Sequence, residues 1–250
     1  MMLKICRTGV LIAICLGILE ADAFAWGHRA QRAISGAAVQ VIRRTYADAF
    51  KASGSNYTED VFAGAVAGPS VLNRGKPFPS QAEALIAIEN EIALLREVRQ
   101  FGVGSYFSYR MGALGALAAD LMLPYSVGST APREAEIKRQ MEADLDAHVA
   151  DYAFQPLSKT RTLIRNARAY VESAQGQYFS YNRQIIGDDY VSGRGYHGFL
   201  KGGGELLFAK AIEATSDVWF TVLSMSREAS VGVPSRASVT WYLVDEIQYL

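Results

Sequence analysis

The chain has 250 residues and a mass of 27.3 kDa, half of it hydrophobic and a fifth charged. That composition supports a domain with a sizeable core and excludes a disordered, collagen-like or low-complexity chain. Lys plus Arg and Asp plus Glu both number 25, so the net charge is zero and a broadly basic nucleic-acid binder is disfavoured. Three histidines (His28, His148, His197) and two cysteines (Cys6, Cys15) leave little material for imidazole-rich or thiol-rich chemistry.

Residues 1–25 read as an export signal. Lys4 and Arg7 form a positive start, Gly9 to Leu19 an apolar run too short for a comfortable membrane span, and Ala23-Phe24-Ala25 a small-x-small cleavage site. Cleavage is expected before Trp26, leaving residues 26–250 as a single domain with no transmembrane segment. Ile12-Ala13-Ile14 before Cys15 lacks the small residue of a lipidation site. Both cysteines leave with the signal, and the protein is expected in a periplasm or outside the cell.

The rest reads as helical. Ala30, Ile34, Ala37, Val41 and Ile42 recur at helical spacing between Trp26 and about Phe50. Ser80-Gln81-Ala82-Glu83 is a capping-box pattern ahead of a periodic run from Ala84 to Phe101, whose polar face carries Glu89, Glu91, Arg96 and Arg99. Tyr106 to Met122 is apolar nearly all round, with Gly112, Ala113, Gly115, Ala116, Ala118 and Ala119 permitting close helix approach, and Pro124 ends it. Ala131 to about Tyr152 is charged and amphipathic. Thr160 to about Gly176 is predicted as another helix. Residues 177–203, rich in Tyr, Gly, Asn and Asp, read as a long loop. Glu205 to Met225 is a long apolar helix, and Ser238 to Leu250 a last short helix or strand. The expected fold class is a single all-α, multi-helix bundle.

Three segments together resemble the exported zinc-dependent phospholipase C and single-strand-specific nuclease superfamily. They are Trp26-Gly27 at the predicted mature start, Leu114 to Ser126 (LGALAADLMLPYS), and Ala211 to Leu223 (AIEATSDVWFTVL). The resemblance implies that fold and a trinuclear zinc site, in which the amino-terminal Trp and a His-x3-Asp-x5-His helix hold the ions. A metal-bound hydroxide there attacks a phosphodiester. Carried onto this chain, Gln31, Ala116 and Ser126 stand where histidines are implied. Ser70, after Pro69, stands loosely where an Asp is implied. On the following helix, a His-x3-acid pair becomes Lys138 and Glu142. The implied metal positions that remain are Trp26, Asp120 and Glu142. Lys138 would repel a metal, and by pairing with Asp120 or Glu142 it would keep the site compact without ions.

The expectation is therefore an exported, non-catalytic protein on a hydrolase-like scaffold, with no catalytic residues and no cofactor. It would bind an unidentified protein or small-molecule partner. The alternative is a metal-dependent phosphodiester hydrolase, acting on phospholipid or nucleic acid, with fewer zinc or calcium ions. Other features carry bland expectations. His148 reads as a solvated helical side chain. Gly193 to Gly198, followed by Lys201-Gly202-Gly203-Gly204, reads as a loop and helix entry rather than a phosphate cradle. Tyr178, Tyr181, Tyr190 and Tyr196 read as loop packing rather than a stacking platform. Arg161, Arg165 and Arg168 read as one basic helical stripe.

Overall fold

The structure is a computed structural model that describes residues 26–224 apart from 130 and 178. The export signal, both cysteines, Tyr178 and the segment 238–250 lie outside the described residues. Among the described residues eight α-helices dominate: α1 (His28–Arg43), α2 (Thr58–Ala67), α3 (Gln81–Val98), α4 (Ser105–Asp120), α5 (Pro132–Ala147), α6 (Ala167–Gln175), α7 (Phe179–Val191) and α8 (Phe199–Leu223). Between α1 and α2 a short hairpin pairs Lys51–Ala52 with Ser55–Asn56.

The centre of the fold is α4. Nearly every residue from Phe107 to Asp120 is buried, as its all-round apolar sequence predicts. Its small residues let neighbours approach to backbone distance. A Cβ on Gly112 would collide with the Val61 carbonyl, and one on Gly64 with the Tyr109 carbonyl, so α2 and α4 touch through their main chains. On another side Trp219 Nε1 donates to Met111 O at 2.6 Å, and Thr215 Oγ1 donates to Gly115 O at 3.0 Å. The long helix α8 is thereby fixed against α4. One hydrophobic cluster then runs through the molecule from Trp26 to Leu223.

Helix entries follow local chemistry. Ser80 caps α3, its hydroxyl accepting from Glu83 N at 3.3 Å, and Pro132 occupies the first turn of α5. Helix α1 has no cap of its own at Gly27. Asp146 of α5 supplies one, accepting from Ala30 N at 2.9 Å.

Three sequence expectations need correction. The helix predicted from Thr160 begins only at Ala167. Residues 162 and 164 instead give their N–H groups to side chains of α8, Thr162 to Asp217 and Ile164 to Thr221, and Asn166 then caps α6. The basic stripe is therefore not a helical face, and Arg161 is buried in ion pairs rather than solvated. The loop predicted over 177–203 holds α7 and the start of α8. Its polar residues serve as caps there: Asp189 of α7 accepts from Phe199 N at 2.5 Å and begins α8. Finally, Glu91 is not on a polar face. It is buried in a bidentate pair with Arg110 of α4, at 2.8 and 2.6 Å.

Candidate functional site: a buried carboxylate–ammonium pocket

The C-terminal end of α4 brings Asp120 to the start of α1 and to the inner face of α5. Gln31 of α1 donates its carboxamide N–H to Asp120 Oδ1 at 3.5 Å. The Ser126 hydroxyl donates to the Asp120 carbonyl, which folds the segment after α4 back over the helix end. On α5, burial recurs at Ile137, Met141, Glu142 and Leu145. That spacing turns Glu142 inward, and Lys138 one turn earlier lies beside it, Nζ 3.7 Å from Oε1. Trp26 completes the neighbourhood: its indole N–H donates to Ala119 O at 3.2 Å, and its ring packs on Phe208.

The electrostatics follow from burial. Asp120 is 3% exposed and Glu142 7%. Desolvation penalises their charged forms and pushes Asp120 up to about 7 and Glu142 up to about 8. Lys138 pulls both back down, by less than burial raises them, and Asp120 adds a further upward push on Glu142. Glu142 Oε1 is buried with no hydrogen-bond partner. The cluster thus holds two carboxyl groups, which burial pushes towards their neutral forms, beside one ammonium.

Of the positions the sequence singled out, Gln31, Asp120, Ser126, Lys138 and Glu142 come together, with Trp26 on the neighbouring carbonyl. Ala116 is buried one turn earlier on α4. Ser70 is not part of the group. Gly64 meets Tyr109 and Val61 meets Gly112, so α2 runs antiparallel to α4. The turn Pro69–Asn73 that follows α2 is therefore carried towards the opposite end of α4, roughly 20 Å from Asp120. Sequence reasoning missed Asp146. It lies one turn beyond Glu142 on the same helix and holds the start of α1, and the i, i+4 spacing from Glu142 was the available signal.

A zinc cluster does not suit these donors. A protonated lysine has no lone pair to offer, and Gln31 presents its N–H side to Asp120. Among the described residues no group of three or more His, Cys, Asp or Glu side chains is arranged to hold a metal ion.

The remaining candidates have structural partners. His148 ends α5 and stacks on Tyr196, ring centroids 3.5 Å apart, with Nδ1 3.0 Å from Asp151 Oδ2. It is therefore a packed side chain rather than a freely solvated one. Tyr196 has its ring stacked on His148 and gives its hydroxyl to Asp151, Tyr190 gives its hydroxyl to Asp144, and Tyr181 is exposed. The start of α8 is occupied by the Asp189 carboxylate, which takes the place a bound phosphate would need.

The geometry defines an all-α protein with a buried, partly neutralised carboxylate pair at the end of its central helix. No known family matches the chain, and no curated protein or solved structure is significantly similar to it. No helix among the described residues is long and apolar enough to cross a membrane.

Proposed function

We propose that this chain is an exported, non-catalytic protein built on a scaffold of the zinc-dependent phospholipase C and single-strand nuclease type, with a role in binding a protein or small-molecule partner. The observation that carries the reading is convergence. Gln31, the Asp120–Ser126 segment and the Lys138–Glu142 turn are three separate segments of the sequence, chosen only because the resemblance assigns them to one metal site, and Ser70, assigned with them, does not join. The three segments meet in one pocket. The side chains there are a carboxamide, a hydroxyl, an ammonium and two carboxyls, a set that lacks the imidazole ligands by which such a site holds its zinc ions.

The alternative is a phosphodiester hydrolase with a reduced metal site, and the two buried carboxyls of Asp120 and Glu142, near enough for Asp120 to raise Glu142, are what favour it. Both readings are tested by incubating the protein with bis(p-nitrophenyl) phosphate, a short-chain phosphatidylcholine and single-stranded DNA, each with zinc or calcium added. The expected result is no turnover above buffer. Turnover that Glu142→Gln abolishes would establish the hydrolase instead.

A further inference from the structure

The last turn of α8 is held at its carbonyls by the end of α3. Arg99 donates a guanidinium N–H to Leu223 O, and Arg96 Nη2 donates to Ser224 O at 3.5 Å. Ser224 is the last of the described residues, so the chain from residue 225 onward departs from a fixed point beside residues 96–101. The surface at that point is apolar. Phe101, two residues past Arg99, is 92% exposed, more than any other large hydrophobic side chain among the described residues. Phe220 of α8 and Tyr46 after α1 face each other at 6.0 Å, and both, like Val98, are only partly buried. Arg99 lies near enough to Tyr46 to interact with its charge, which joins these side chains into one face. A bare phenylalanine ring beside half-covered aromatic rings leaves apolar area in water that a partner segment would bury.

We propose that this face is the docking site for the chain's own segment 238–250. That segment reads SVTWYLVDEIQYL, dense in aromatic and branched apolar residues. Its charged side chains are Asp245 and Glu246, with no Lys or Arg, and the face offers Arg96 and Arg99 against Glu97. Residues 225–237, with Gly232 and Pro234, read as a linker. Fully extended they span about 40 Å, more than enough to return the segment from Ser224 to Phe101. The tether starts at the face itself, which gives docking within one chain an effective concentration that a second copy or a foreign peptide lacks. The inference rests on this end of α8 and stands or fails separately from the family reading.

Acrylamide quenching of tryptophan fluorescence in the full chain tests it. Of the three tryptophans, Trp26 and Trp219 are fully buried, so Trp241 is read by difference from the Trp241→Phe variant. Trp241 in the wild-type protein is expected to be shielded, with a quenching constant several-fold below that of a synthetic 238–250 peptide. Phe101→Asp removes no buried side chain. It is expected to leave the helical circular dichroism unchanged while Trp241 becomes as quenchable as in the peptide. The same substitution in the Trp241→Phe background is expected to change nothing, which separates undocking from unfolding. A wild-type Trp241 as quenchable as the peptide overturns the proposal. Shielding that survives Phe101→Asp, or that appears only with dimerisation in size-exclusion chromatography, overturns it too, because another surface or a second copy then covers the segment.

Discussion

Two buried polar clusters in this protein solve the same problem with different completeness. Around Asp217 of α8, one carboxylate receives Arg161 Nη1, Thr162 N and the Tyr170 hydroxyl, each at 3.0 Å. Arg161 also reaches Ser216. Burial still raises Asp217 above the usual carboxylate range, with Thr162, Arg161 and Tyr170 opposing it, but every oxygen has a donor. Around Asp120, Gln31 reaches one carboxyl oxygen at 3.5 Å, Lys138 Nζ lies 3.7 Å from Glu142 Oε1, and that buried oxygen has no hydrogen-bond partner. A carboxylate served on both oxygens fixes structure, although Arg161 Nε in this cluster is itself buried without a partner. An under-satisfied one marks a place whose present occupants are not the best imaginable for stability alone. The first straps the segment 158–166 onto α8. The second is where the resemblance locates altered chemistry.

The contrast can be broken most strongly at Arg161. Arg161→Met leaves Asp217 buried without its cation and is expected to lower unfolding free energy by about 3–5 kcal/mol in urea titrations. A loss below about 1 kcal/mol would mean that the Asp217 cluster is no tighter than the Asp120 pocket.

The smaller effect is expected at Asp120, and its sign depends on pH. Its carboxyl sits at about 7 in the folded chain against an ordinary value of 3.8. Between those values the folded state holds a proton that the unfolded state has released. Stability therefore falls as pH rises across that window, by up to about 1.4 kcal/mol per pH unit for one such proton. Asp120→Asn keeps the acceptor for Gln31 and removes the titration. The variant is expected to match wild type near pH 4, to exceed it at pH 8, and to show a shallower pH slope. A slope identical to that of wild type in denaturant titrations at pH 5, 6, 7 and 8 would show that Asp120 is not proton-holding.

How much of this was legible in the sequence differed by element. The helices α1, α3, α4, α5 and α8 announce themselves through apolar spacing, a Ser80 cap and the glycines and alanines of α4. The hairpin and α2 do not. The ten residues of α2 include Gly64, and that glycine, which reads as a breaker, is required by contact with the Tyr109 carbonyl. The residues of α7 read as loop because Asn182, Gly187, Asp188 and Asp189 are poor helix formers. Tertiary partners override that: Asp189 caps α8, Gly187 packs against the Tyr125 hydroxyl, and that hydroxyl bonds Arg183 O. The start of α6 failed for the opposite reason. Periodicity continued through residues 160–166, while the donors there belong to Asp217 and Thr221, more than fifty residues away.

At the site, composition showed only that imidazoles are scarce. The particular positions came from the resemblance, and their meeting in space is a tertiary fact that spacing could not supply. The Lys138–Glu142 pair was readable as an i, i+4 contact. The face that carries Asp146 was readable from its i, i+4 spacing to Glu142, but its trans-acting cap and the exclusion of Ser70 were not, because both depend on how α1, α2 and α5 dock around α4.

The central claim is that Lys138 supplies the cation beside Asp120 and Glu142 in place of a metal ion. Elemental analysis of the protein, purified without chelator and dialysed against metal-free buffer, tests it most directly. The account predicts well under one equivalent of any divalent metal per chain. Near three equivalents of tightly held zinc would contradict it.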